Sequence, residues 1–159
     1  MVLWPAGLAL VVVWFVFKDP AIDYRVVVAG ALLPDLFDAP FGGAGALHTL
    51  VAAVAVLAVV MGATRGHRHA RRRWIFLPVG MFLHLVADGM WTRTTVFWWP
   101  FFGASFSGAL PAVDHGIAVL VIEEIAGALA LGWFWVRFRL SAPVVRANFV
   151  RTGRVPRDS

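Results

Sequence analysis

The chain has no cysteine in its 159 residues, which excludes disulfides and thiolate metal sites. Charge is scarce as well: 14% of residues are Asp, Glu, Lys or Arg against 60% hydrophobic, and the mean hydropathy is +0.79. A soluble domain of this length does not carry so few charges, so the chain reads as a multi-span membrane protein. Lysine is almost missing, with Lys18 the one lysine among 14 basic residues. That bias, in an Ala/Gly/Val-rich chain, points to a high-GC bacterial gene. There is no internal repeat, no low-complexity segment and no HExxH-type signature. No lysine or arginine precedes the first apolar run and no A-x-A-like cleavage site accompanies it, so it reads as a retained span rather than a signal peptide. The length allows one helical bundle and no second domain.

Long apolar runs fill most of the sequence. Four are convincing spans, at roughly 2–17, 46–63, 74–91 and 116–136, and a short one covers 26–37. An 18-residue helix is about 27 Å long, just enough for a hydrocarbon core. Five arginines lie in 64–74, six lie between Arg137 and Arg157, and Lys18 and Arg25 flank the first turn. Placing these regions in the cytoplasm leaves only Arg93 outside, as the positive-inside rule asks. The expected architecture is an all-α integral membrane bundle of about five spans, N-terminus out and C-terminus in. Its second span is expected to be short and broken at Pro34, which removes a backbone donor. The bundle occupies 1–140 and a basic cytoplasmic tail 141–159, of which RANFVRTGRVPRDS (146–159) reads as disordered or lying on anionic headgroups. The basic run HRHARRR could bind lipid phosphate but reads first as an orientation signal, and His67 and His69 belong to it.

On this topology the awkward polar residues collect at one face. His48 opens the third span, His84 and Asp88 lie in the last third of the fourth, Asp35 and Asp38 close the second, and Asp114 and His115 open the fifth. Each has a plain reading of its own. His84 and Asp88, four apart, share a helix face and could simply satisfy each other. Asp38 reads as a polar exit into a loop, His48 as an interfacial helix start, and Asp114 as an N-cap. Against this, a charge at the centre of a span costs about 2.5–3.5 kcal/mol, and a helix C-terminus disfavours the anion Asp88. Glu123 and Glu124 sit about two turns into the last span, and one of them can face the bundle. Two imidazoles and two carboxylates, from Asp35, His48, His84 and Asp88, suit a borderline divalent ion: Zn²⁺ first, Mn²⁺ or Fe²⁺ otherwise.

LLPDLFDAPF, GALHTL and FLHLVADGMWTRTTVFWWPF, in that order, resemble the membrane-bound metal-dependent hydrolase family that includes the YdjM-like inner-membrane proteins. The resemblance covers residues of about 26–103 and rests on a PD-x-x-D step, a His-Thr-Leu step and a His-x-x-x-Asp step before an aromatic WPF. It implies metal-binding roles for Asp35, His48, His84 and Asp88, with Asp38 as a further candidate. It also implies a relation to zinc-dependent phospholipase C-like folds, hence phosphoester or lipid substrates. The chain departs from the family in having no histidine in the first span and GGAGALH where relatives carry an H-R-G-x-T-H stretch. One ion, or two shared by carboxylates, is therefore expected instead of a larger cluster.

The function expected is metal-dependent hydrolysis of a lipid or phosphoester at the outer leaflet of a bacterial plasma membrane. Glu124 or Asp38 is the candidate general base, and Arg93 the candidate partner for an anionic headgroup. The aromatic stretch 96–106 would form an apolar lip in the interface. Membrane lipids are expected partners, together with a protein partner or a homo-oligomer, and no nucleic acid. A non-catalytic scaffold whose metal staples three helices is the main alternative. An ion or proton relay is disfavoured, because the polar groups do not continue through the third and fourth spans.

Overall fold

The computed structural model describes residues 1–38, 40, 43–103 and 116–157. Asp114, His115 and the end of the 96–106 stretch lie outside the described residues. Helix α1 spans Leu3–Phe17, α2 Tyr24–Asp38, α3 Leu50–Ala63, α4 Arg68–Trp74, α5 Phe76–Ala87, α6 Thr94–Phe97, α7 Ile117–Arg137 and α8 Pro143–Thr152. Short 3-10 turns occur at Ala46–His48 and Met90–Thr92, and no strand occurs among the described residues.

Small residues fix how the helices cross. Gly30 of α2 and Gly80 of α5 bring their backbones into direct contact: a Cβ at Gly80 would strike the Val27 carbonyl oxygen and lie 3.0 Å from Gly30 Cα. Gly127 of α7 meets the backbone of Leu3 and Trp4 on α1 in the same way. Such close approach suits helices that gain little from excluding water. Trp14, Tyr24, Phe134 and Phe138 fill the space between α1, α2 and α7, with Phe138 4.7 Å from Trp14 and 4.6 Å from Phe134 between ring centroids.

Three expectations need adjusting. The second span is not broken at Pro34, because α2 runs through that residue to Asp38. Pro34 lies only one turn from the helix end, so the missing N–H deprives a single carbonyl, that of Gly30, and the tight packing of Gly30 on Leu77 holds the helix across it. Next, α1, α3 and α5 are shorter than the apolar runs that hold them. Only α7 among the described residues is long and apolar enough to cross a membrane by length and composition, while α1 and α3 are apolar but shorter. At about 1.5 Å per residue, the 15 residues of α1 reach roughly 22 Å. Finally, the tail is folded. Residues Pro143–Thr152 form α8, Val155 is buried in the core cluster, and Val145 and Phe149 pack against it. The Tyr24 N–H donates to the Gly153 carbonyl (2.9 Å) and the Val155 N–H to the Pro20 carbonyl (3.2 Å), tying the C-terminal segment to the start of α2.

Candidate metal centre

The ends of α2 and α5 and the turn before α3 meet at one place. Asp35 comes from the last turn of α2, His48 closes the 3-10 turn, His84 lies on α5, and Asp88 is its C-cap. Each offers one donor atom, and the four atoms lie within 4.8 Å of one another. His48 Nε2 is 3.3 Å from His84 Nε2. Asp35 Oδ1 is 3.4 Å from His48 Nε2 and 3.5 Å from His84 Nε2. Asp88 Oδ2 is 3.4 Å from His84 Nε2 and 4.0 Å from His48 Nε2. Both imidazoles are fully buried, Asp88 nearly so, and Asp35 is the one part-exposed member.

The other ring nitrogens are already committed. His48 Nδ1 lies 2.7 Å from Asp38 Oδ2, and His84 Nδ1 lies 2.7 Å from the Ala31 carbonyl oxygen. Both partners are acceptors, so each Nδ1 is placed to donate. A neutral imidazole then presents a bare lone pair at Nε2. With both rings neutral, two such lone pairs face each other at 3.3 Å, where they cannot hydrogen-bond and repel. Beside them Asp88 Oδ1 is buried with no hydrogen-bond partner among the described residues, at a helix C-terminus whose carbonyls further disfavour an anion. A cation resolves all three conflicts at once.

The donor spacing fits such an ion. Around an ion with bonds of about 2.0–2.1 Å to nitrogen and oxygen, tetrahedral donors stand about 3.3 Å apart. The five separations above run from 3.3 to 4.0 Å. The arrangement also carries the outer hydrogen bonds that metal-ligating histidines have, from Nδ1 to a carboxylate in one case and to a backbone carbonyl in the other. Asp35, His48, His84 and Asp88 could therefore hold a metal ion.

The surroundings explain how the local sequence builds this. Asp38 Oδ2 accepts from the backbone N–H of Gly45 (3.1 Å) and of Leu47 (3.0 Å) as well as from His48, so it shapes the turn that presents the imidazole. Thr49, in extended conformation, caps α3 by accepting the Ala52 N–H (3.0 Å) and anchors the turn by donating to the Ala46 carbonyl (2.8 Å). Trp4 Nε1 donates to the Ala87 carbonyl (3.0 Å), fastening α1 beside Asp88.

The remaining sequence candidates have distinct places. Asp38 stands behind His48 and not among the four donors. Glu124 accepts the N–H groups of Val2 (2.9 Å) and Leu3 (3.2 Å), holding the start of α1, and the neighbouring Met1 nitrogen is 3.0 Å from Asp35 Oδ2. Arg93 is half-buried at the start of α6, on the segment that follows Asp88. Trp98, Phe101 and Phe102 of the aromatic stretch are exposed. Sequence reasoning did not find the Ala31 carbonyl or the turn-forming role of Asp38.

The fold and the site thus define a small all-helical protein with an enclosed cluster of two histidines and two aspartates suited to a metal. Residues 3–150 match the family described as YdjM inner membrane protein, and the chain belongs to it. No curated protein and no solved structure matches.

Proposed function

We propose that the protein is a membrane metallohydrolase acting on a lipid or phosphoester, with one divalent ion, zinc first, held by Asp35, His48, His84 and Asp88. The observation that carries the metal reading is the convergence of four donor atoms, with the two Nε2 atoms 3.3 Å apart and both Nδ1 atoms already committed. A cation held there would act as a Lewis acid toward an ester or phosphoester oxygen. Asp35 is the part-exposed donor, so substrate approaches from its side. Asp38 positions His48, since serving as a base would cost it three hydrogen bonds on one oxygen. Glu124 is the better base candidate, because the Met1–Leu3 segment that it holds also touches Asp35. Arg93 and the exposed aromatics after it would receive the headgroup and the acyl chains.

The proposal places the chain across the plasma membrane five times, with the cluster at the extracytoplasmic face. Two features support this. The exteriors of α1, α3 and α7 expose Phe15, Val16, Val54, Val59, Ile122 and Leu129, as lipid-facing helices do. Moreover, α2 carries Asp35 in its last turn, while Arg25 in its first turn meets the arginine-rich segments, so metal cluster and basic residues lie at opposite ends. Short helices would be accommodated by local bilayer thinning.

A second reading is favoured by one observation: four protein donors converge, the number that structural zinc sites use, whereas catalytic sites keep a position open. The protein would then be a membrane scaffold stapled by its metal, serving a protein partner or a second copy of itself. Turnover of a panel of lipid phosphoesters by purified protein, stripped of metal and reloaded, separates the two. Hydrolysis that returns with Zn²⁺ supports the hydrolase. A fully loaded protein inert across the panel refutes it and leaves the scaffold.

A further inference from the structure

We propose that a cleft at the opposite end of α2 is a binding site for a phosphate-bearing anion. The cleft has a volume of about 520 Å³, and Arg25, Arg72, Arg73, Arg151 and Arg154 line it together with His69 and one carboxylate, Asp23. These arginines come from three segments far apart in sequence, so their meeting is a product of the fold and not of one basic run.

The site is built around Asp23, whose buried carboxylate is fully engaged. Arg25 grips it with Nε and Nη2, each at 2.9 Å, and Arg73 Nε lies 2.9 Å from the same group. Arg25 also donates from Nη1 to the Val150 carbonyl (2.6 Å), which positions the end of α8. Next in the chain, Gly153 at φ 72 lies directly on Asp23 Oδ1, where any side chain would collide. This packing sets Arg151 and Arg154, on either side of Gly153, on the cleft wall. Arg72 is paired outward with Asp19 (2.6 Å), but the guanidinium groups of Arg151 and Arg154 have no ion pair or hydrogen bond among the described residues. A topogenic signal needs only charge near the membrane surface; a buried carboxylate organising arginines from three segments goes beyond that.

The ligand chemistry follows from the lining. No lysine contributes, and guanidinium forks match the paired oxygens of a phosphate. The one acid present is neutralised by two arginines, so positive charge is left over for a guest. Asp23 and Asp35 are 12 residues apart along the chain, about 18 Å along a helix, so the cleft is separate from the metal centre. A soluble phosphate compound and a phospholipid headgroup share this chemistry.

The full chain is tested in two arms, with thermal midpoint as the readout. Protein in neutral detergent is titrated with inorganic pyrophosphate, and protein in phosphatidylcholine nanodiscs is compared with and without phosphatidylglycerol. The variant Arg151→Gln with Arg154→Gln is set beside a control of equal charge, Arg65→Gln with Arg68→Gln, whose side chains do not line the cleft. We expect stabilisation in at least one arm, weakened about tenfold or more in apparent affinity by the first pair and less than about twofold by the control. A response to pyrophosphate identifies a soluble anion, and a response to phosphatidylglycerol alone identifies a headgroup. No stabilisation in either arm, or equal weakening by both pairs, overturns the proposal.

Discussion

Replacing Asp38 with alanine should loosen the metal without touching any of its four donors. Asp38 Oδ2 accepts three hydrogen bonds, from His48 Nδ1 and from the N–H groups of Gly45 and Leu47. Removing it frees the His48 ring to rotate or change tautomer, either of which takes Nε2 away from the cluster. Loss of such an outer partner typically costs 10- to 100-fold in metal affinity, or about 1.4–2.7 kcal/mol. Stability should fall as well, because three donors in a largely buried turn lose their acceptor at about 1 kcal/mol or more each, giving roughly 3 kcal/mol before relaxation. Asp38→Asn keeps an acceptor oxygen and should fall between wild type and alanine. Competition for Zn²⁺ against a chromophoric chelator in detergent reads the affinity, and the thermal midpoint of the same sample shows that the variant is folded. A folded Asp38→Ala protein that binds Zn²⁺ as tightly as wild type would refute the reasoning.

Other consequences are as direct. Thr49→Ala removes the α3 cap and the anchor to Ala46, and should cost about 1 kcal/mol, read as a lower thermal midpoint. Gly80→Ala puts a Cβ against the Val27 carbonyl where α2 and α5 touch; it should destabilise by about 1–3 kcal/mol and lower metal content, since these helices carry Asp35, His84 and Asp88. Away from the spans, burial pushes the Asp23 carboxyl up, but its hydrogen bond with Arg25 and the charges of Arg25 and Arg73 bring it below the ordinary 3.8. A depressed folded value adds stability above the unfolded value, and that stability is lost as pH falls through the folded one. The wild-type thermal midpoint should therefore drop as pH falls below about 3.8, and more steeply than that of Asp23→Asn.

The four donors were legible because they are polar residues stranded in apolar runs, where burial has to be compensated. His84 and Asp88 shared a helix face by spacing alone, and Asp35 and His48 joined them once the spans were given directions. What Asp38 does was not legible. Its place three residues after Asp35 fits a ligand, a base or a loop exit equally, and only the turn over Gly45–His48 decides that it faces an imidazole. The Ala31 carbonyl could not be singled out, because every residue has one. Hydropathy also overstated helix length. It counts the turn at Ala46–His48 as part of a span, although Thr49 is extended and α3 starts only at Leu50. The docked tail escaped notice because Val145, Phe149 and Val155 are diluted by arginines, and because much of the core they pack with, Ile22 and Tyr24 among it, lies more than a hundred residues away.

Metal content of detergent-purified protein, measured by elemental analysis for wild type beside His84→Ala, bears most directly on the cluster. About one equivalent of a divalent metal per wild-type chain, lost in His84→Ala while the variant stays folded, is the result predicted. A wild-type chain that carries no metal after incubation with Zn²⁺, Mn²⁺ or Fe²⁺, or a variant that retains the full equivalent, would contradict it.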